Sequence, residues 1–274
     1  MADPGEERVA IEIEEHVAVV TFTRSGRHNA LDLPALDAII AASQRLGTEP
    51  GVRAVVLRGA GPSFCSGLDF PAVAAAGGLE ALAGVLDEPP PNYFQRAGYG
   101  WIELPVPVIA AIHGNCLGGG LQIALAADIR IAAADARLSV MEGRWGLIPD
   151  MSITRTLPRL VGIDVAKELT FTARTISGEE AARLGLVTRV AADPFATAME
   201  LAREIATRSP DAVRAAKRLF DAGWTGTAGE TLALEAALQG RLIGTPNQLA
   251  ATSAAMTKQT AEFSDPAEFS DPPA

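Results

Sequence analysis

The chain has 274 residues, 48% of them hydrophobic and 20% charged, and its 23 basic and 33 acidic side chains leave a net charge of −10. That size and apolar content suit a globular chain with a sizeable core, built from Ala, Val, Leu and Ile because aromatics make up only 5%. The negative surface repels nucleic-acid phosphates and anionic lipids, so neither is an expected partner, and an anionic small ligand would need a local basic pocket.

Cys65 and Cys116 lie in separate apolar stretches and make no disulfide framework, so they read as buried thiols of a reducing compartment. The start of the chain, MADPGEERVAIEIEEH, is acidic and has no apolar h-region, and no window of about 18 uninterrupted apolar residues follows. A cytoplasmic protein with neither signal nor span is expected.

In chain order, residues 8–14 alternate as a half-exposed strand does, and 17–22 (VAVVTF) read as a buried strand, giving a hairpin that turns at Glu15 and His16. Residues 24–32 form a loop in which Asp32 is placed to cap a helix over 34–46, with Pro34 in its first turn. A strand at 53–57 ends at Gly59, Gly61 and Pro62. Residues 77–92, rich in Gly and Pro, read as a mobile surface segment. A helix at 93–103, a buried strand at 106–112, a helix at 120–127 and short strands at 128–132 and 136–140 follow. From about 153 the pattern is helical, with a Ser177/Glu180 capping box, a Gly185 C-cap, a strand at 186–190 and helices at 194–207, 210–222 and 227–242. AEFSDP occurs at 261–266 and again at 267–272, which predicts a flexible or surface-lying tail. The division expected is a strand–helix core over 1–190, a helical region over 191–260 and the tail over 261–274.

Three stretches carry chemistry. In HGNCLGGGLQIALAADIRIA (113–132) a buried strand runs through a triple glycine straight into a helix, which brings unpaired amides close to a ligand and favours negative charge there. The phosphate fingerprints fail: GxxxxGK[ST] is absent, and a GxGxxG begun at Gly118 and Gly120 meets Ile123 where its last glycine belongs. An oxyanion is the alternative, and it needs a second donor. FCSGLDF (64–70) could supply one, since Gly67 permits a sharp bend before Leu68, although an ordinary strand–helix connection reads the same way. Cys65 and Ser66 make poor nucleophiles, with no paired base nearby and no GxSxG. In LSVMEGRWGLIPD (138–150), Glu142 lies among Met141, Trp145, Leu147 and Ile148, so its carboxyl should be partly desolvated and its pKa raised, with Asp150 eight residues on. A salt bridge to Arg144 or Arg155 is the competing reading. His28 and His113 have no metal-ligand spacing and read as structural.

RxxxHNALD, FCSGLDF, HGxxxGGG, ADIRIA and E-x-x-x-G-L-x-P-D, in this order, resemble the crotonase superfamily, the enoyl-CoA hydratases and isomerases, over about residues 8–265. Ser25 departs from the Pro that often follows the family's Arg. The resemblance implies an α/β fold, a ββα superhelical spiral with C-terminal helices that assemble a homotrimer or a dimer of trimers. It implies an oxyanion hole from the backbone N–H groups of Leu68 and Gly119, and a coenzyme A thioester as the substrate itself, with no separate cofactor and no metal. The 24–31 loop would hold the adenine end, with Arg24 and Arg27 as phosphate partners and Ala30 in contact. Ser66, Asp69 and Trp145 are further substrate contacts, and Phe70, Trp101 and Trp145 are expected to line an acyl pocket.

The hydratases of the family carry a pair of glutamates. Glu142 matches one; the other position holds Gln122, whose amide can orient water but cannot take a proton at neutral pH. Glu142 resembles the base of the monoenoyl isomerases, and Asp150 the second acid/base group of the dienoyl-CoA isomerases, which also carry an acid at the Gln122 position. The expectation is therefore an enoyl-CoA isomerase, with a hydratase that tolerates Gln122, another reaction of the same enolate, and a non-catalytic acyl-CoA-binding protein as the alternatives.

Overall fold

The computed structural model describes residues 7–78 and 80–265. Strands β1 (Val9–Glu14) and β2 (Val17–Phe22) form the expected hairpin, and both turn residues take positive φ, 47° at Glu15 and 71° at His16, as a two-residue type I′ turn requires. Helix α1 (Leu33–Thr48) starts as predicted: the Asp32 carboxylate accepts the Ala35 N–H at 2.9 Å, with Pro34 in the first turn. Then come β3 (Ala54–Gly59), α2 (Phe70–Ala75), α3 (Tyr93–Ile102), β4 (Val108–Ile112), β5 (Asn115–Leu117), α4 (Gly119–Leu125), β6 (Ile129–Ala132) and β7 (Arg137–Ser139). The second half holds α5 (Ile153–Leu160), α6 (Ile163–Thr172), β8 (Ile176–Ser177), α7 (Gly178–Leu184), β9 (Arg189–Val190), α8 (Pro194–Ala206), α9 (Pro210–Gly223), α10 (Ala228–Leu242) and α11 (Pro246–Thr257). Among the described residues no helix is long and apolar enough to cross a membrane.

Two sheets share these strands. The larger has the order β1-β2-β3-β4-β6-β9, parallel throughout except for β1; the smaller has the order β5-β7-β8. The chain alternates between them: β4 feeds β5 and then α4, and β6 feeds β7. In the two earlier turns the second strand shrinks to single parallel bridges, Leu31 with Leu68 and Cys65 with Cys116. This is the ββα spiral. Its central strands β3 and β4 are buried on both faces, which is why they read as unbroken apolar runs. Val55, Leu57, Ala110 and Ile112 face one core; Ala54, Val56, Ile109 and Ala111 face the other, where α8 lies close through Ala198, Ala202 and Ala206.

The structure adds detail to several expectations and corrects others. Residues 80–87 of the Gly/Pro-rich segment form a 3₁₀ turn, and Asn92 with Gln95 makes a full capping box for α3. The strand expected at 186–190 shortens to Arg189–Val190, and α11 was not legible. At α7, Ser177 caps the Glu180 N–H at 3.1 Å, but the Glu180 carboxylate turns to Arg174 at 2.6 Å, so the box is half made. The first AEFSDP copy lies pinned over 263–265: Arg53 donates to the Phe263 carbonyl at 2.9 Å, and the Ser264 N–H donates to Asn247 at 3.1 Å. The second copy, at 267–272, lies outside the described residues.

A buried chain of charges ties the first two turns together. Arg8 meets Asp32 at 3.2 Å, Arg24 meets Asp32 at 3.5 Å, and Arg24 meets Asp69 at 2.9 Å. Asp32 thus caps α1 and neutralises two guanidinium groups. Asp32→Ala removes the cap and takes one carboxylate partner from each of two buried arginines, a loss expected to reach about 3 kcal/mol in urea unfolding. A loss below about 1 kcal/mol, the size of the cap alone, would show that the ion pairs contribute nothing net.

Candidate active site

Segment 65–69 runs between two neighbours. Cys65 bonds on one side to residues 115–117, its N–H to the Asn115 carbonyl at 2.9 Å and its carbonyl to the Leu117 N–H at 3.0 Å. Ser66 turns to the other side, its N–H to His28 O at 3.0 Å. A plain strand would turn Gly67 back again. Gly67, at φ 87°, instead keeps its carbonyl on that second side, on the Leu31 N–H at 2.8 Å, and the Asp69 N–H returns to Leu31 O at 2.9 Å. The Leu68 N–H is therefore turned toward residues 117–119. Only glycine fits at 67, because a Cβ would lie 2.8 Å from the Leu117 carbonyl oxygen. Gly118, at φ 53°, makes the matching bend into α4, and Gly119 is the first residue of that helix. Among the described residues neither the Leu68 nor the Gly119 amide has an acceptor. Both border one cavity of about 380 Å³.

The 3₁₀ turn Glu142–Trp145 lies across this cavity. Gln122, in the first turn of α4 and 1% exposed, is held at both ends of its amide. The Met151 N–H donates to its Oε1 at 2.8 Å, which fixes the sense of the amide, so its Nε2 donates to Glu142 Oε1 at 2.7 Å. The other oxygen, Oε2, is buried without a partner. Burial pushes the Glu142 carboxyl above its ordinary value, its own backbone N–H and then the Gln122 bond oppose that rise, and negative Asp150 adds to it. Asp150 stands at the rim in contact with solvent, yet the protein around it still raises its carboxyl, through desolvation. Neither acid forms an ion pair with Arg144 or Arg155 among the described residues. Apolar walls come from Leu31, Phe70, Phe94, Met141 and Trp145, with Phe70 and Trp145 in ring contact at 4.4 Å.

The structure thus gathers Leu68, Gly119, Gln122, Glu142, Asp150, Ser66 and Trp145 around one space. It corrects other expectations. Arg24 is no free phosphate contact: its guanidinium is buried against Asp69, Asp32 and the Ala30 carbonyl, the last at 2.6 Å. Asp69 is occupied likewise, pairing with Arg24 and capping α2 through the Ala72 N–H at 3.1 Å. Arg27 is exposed, and its carbonyl receives the Ser66 hydroxyl at 3.5 Å. Trp101 belongs to the core, fully buried, and does not line the cavity. His28 bonds Ser63 and His113 bonds the Gly61 carbonyl, both at 2.9 Å. Burial pushes the Cys65 thiol up to about 12 and Cys116 well above its ordinary value, so neither is a thiolate. Met151 was missed: nothing about a methionine in sequence says that its backbone will anchor a glutamine 29 residues earlier.

The model of a family described as enoyl-CoA hydratase/isomerase matches residues 12–266. The chain is 36% identical to the short-chain-enoyl-CoA hydratase of Clostridium acetobutylicum, over 93% of this chain and 96% of that protein. It is 34% identical to the mitochondrial methylglutaconyl-CoA hydratase of Mus musculus, over 85% of this chain and 74% of that protein. The crystal structure of an enoyl-CoA hydratase from Bacillus anthracis superposes with a TM-score of 0.86 at 33% identity, over 93% of this chain and 98% of that one.

Because the folded-state Glu142 carboxyl titrates above its unfolded value, ionising it costs folding stability; the cost appears as pH rises through the ordinary value of 4.5 and is complete above the folded one. Glu142→Gln removes that cost. Denaturant unfolding at pH 7 is expected to find the variant at least as stable as the parent, with the advantage fading below pH 4.5. A variant clearly less stable at pH 7 would contradict the desolvated carboxylate.

Proposed function

The chain belongs to the enoyl-CoA hydratase/isomerase family, an acyl-CoA enzyme family, and within it we propose that this protein shifts the double bond of an enoyl- or dienoyl-CoA by proton transfer. The observation that carries the reading is the Glu142 carboxylate at the cavity, with one oxygen held by the neutral Gln122 amide and the other buried without a partner.

The thioester carbonyl would sit against the Leu68 and Gly119 N–H groups. As the Glu142 carboxylate removes a proton from the carbon next to that carbonyl, the electron pair moves onto the thioester oxygen, and the two amides stabilise the enolate; each such donor is worth ~3 kcal/mol in the transition state. Glu142, now a carboxylic acid, returns the proton two carbons along, the double bond shifts, and the acid is again ionised. No water is consumed. A raised carboxyl pKa suits the task, since it makes the carboxylate a stronger base. Asp150, at the rim, would take the returning-proton role for a conjugated dienoyl chain, where the delivery point lies further along. Arg27, exposed beside Ser66, is the proposed phosphate contact of the coenzyme, and Ala30, Ser66 and Trp145 border its path. The acyl chain would run along Phe70, Phe94 and Trp145.

A hydratase is the second reading, favoured by the names of the relatives. Against it stands Gln122: its carbonyl oxygen is taken up by the Met151 N–H, so it is poorly free to position a water. Asp150 would then have to serve as the second carboxylate.

The substrates decide. With 3-enoyl-CoA, conversion to the conjugated isomer at unchanged mass is expected; with trans-2-enoyl-CoA, a product heavier by one water would instead establish the hydratase. Glu142→Gln should lower kcat on 3-enoyl-CoA by at least about a hundredfold while acyl-CoA Kd changes little, a general base being worth roughly 10²–10⁴. Asp150→Asn should harm 3,5-dienoyl-CoA turnover more than 3-enoyl-CoA turnover, and equal losses on the two would remove the longer relay.

Assembly belongs to the same proposal. Phe220, Trp224, Ile243 and Met256 on and between α9, α10 and α11 are large apolar side chains left exposed by one chain. Their exposure favours burial between copies, in the homotrimer or dimer of trimers that the resemblance implied. Sedimentation equilibrium is expected to give the mass of three or six chains, and a monomer would overturn this part.

A further inference from the structure

We propose that Ser152 and Gly98, neither of which borders the cavity, are positioning residues that place the Glu142 carboxylate through Met151 and Gln122. The inference rests on Glu142 being the proton-transfer group. Gln122 can hold Glu142 only while its own carbonyl oxygen is anchored, and the anchor is one backbone amide, the Met151 N–H. The direction of that amide is set by the turn through Asp150, Met151 and Ser152. Ser152 closes the turn at φ 68° and ψ 15°, a left-handed conformation uncommon for a residue with a side chain. It is 8% exposed and its hydroxyl donates to the Met151 carbonyl, so the local structure holds it there.

The turn backs onto α3 at Gly98. A Cβ at 98 would lie 2.7 Å from both the Met151 carbonyl oxygen and the Ser152 hydroxyl oxygen, so α3 fits flush against the turn only because position 98 has no side chain. Glycine inside a helix weakens it, which calls for a packing reason, and this turn is that reason. On the opposite side, Met151 Sδ fills the space that a Cβ on Gly119 would need, at 2.8 Å. One residue, supported from behind by Gly98 and Ser152, therefore abuts the oxyanion donor with its side chain and fixes the acid–base group with its backbone. The charged group acting on Glu142 here is Asp150 on its own loop; α4 offers the neutral Gln122 and the 118–119 backbone, and the end of α6 presents the Thr170 carbonyl and Ala173 to neighbouring Gly143. Loosening the Met151 anchor thus removes a neutral donor from the carboxylate and leaves the negative neighbour in place.

The test uses the whole protein, with kcat and KM for 3-enoyl-CoA, or for whichever enoyl-CoA it turns over, measured across pH beside thermal unfolding. Gly98→Ala and Ser152→Val are expected to lower kcat about ten- to hundredfold with KM within about threefold, since small misplacements of a reacting group act on turnover rather than on binding. The acid limb of kcat should move to higher pH in both, because the carboxylate has lost its Gln122 donor. Ser152→Gly, which adopts positive φ without strain, should retain the parent limb, and Ser152→Ala carries the comparison if the valine variant does not fold. If activity falls only with the folded fraction while the acid limb stays in place, Gly98 and Ser152 are packing alone and the proposal is overturned. If Glu142→Gln remains active, the base itself is misassigned, a failure distinguishable from an intact Glu142 requirement with an unmoved limb.

Discussion

Two backbone amides without acceptors among the described residues border one cavity because two successive turns of the spiral end their short second strand on glycine at positive φ, 87° at Gly67 and 53° at Gly118. Regular parallel pairing would have satisfied both amides. The glycines break the alternation at equivalent places, and the parallel stacking of β3 on β4 brings those places side by side. The proposed cradle for negative charge is thus a by-product of how the fold repeats, and none of the described residues that border it is cationic. That suits a charge that appears only during reaction, since fixed dipoles need no reorganisation when it forms.

The same restraint governs Glu142, the proposed acid–base group. An arginine beside Glu142 would have held its carboxyl low and made it a weaker base. The partner is instead a neutral amide, which fixes one oxygen in place and leaves burial free to raise the pKa. The unpaired Oε2 is a cost, and a carboxyl pKa raised by burial beside a cavity is a mark of a functional group.

Charges that do pair are kept for the scaffold. Arg8, Asp32, Arg24 and Asp69 form a buried chain joining the starts of β1, α1 and α2, and this chain fixes the strand on which Leu68 rides. Arg24 is therefore part of the frame behind the site, while Arg27, three residues on, stays at the surface. The two look alike in sequence; only the neighbours that folding supplies separate them.

The sequence by itself determined the first three strands, read at 8–14, 17–22 and 53–57 and found at 9–14, 17–22 and 54–59, with the cap at Asp32, the helical second half and the three glycine-bearing stretches, because period-two burial, capping chemistry and positive φ each leave a local mark. It also singled out Glu142, whose apolar neighbours announced its desolvation. Tertiary structure alone decided the rest. It put Trp101 in the core and Trp145 at the cavity, buried Arg24 and freed Arg27, cut the predicted strand at 186–190 to two residues, and added α11. It also joined Gln122 to Met151 and, through Ser152, to Gly98. These outcomes depend on contacts between residues far apart in the chain, where spacing carries no signal and the space left by a missing Cβ can be seen only once the helix opposite is in place.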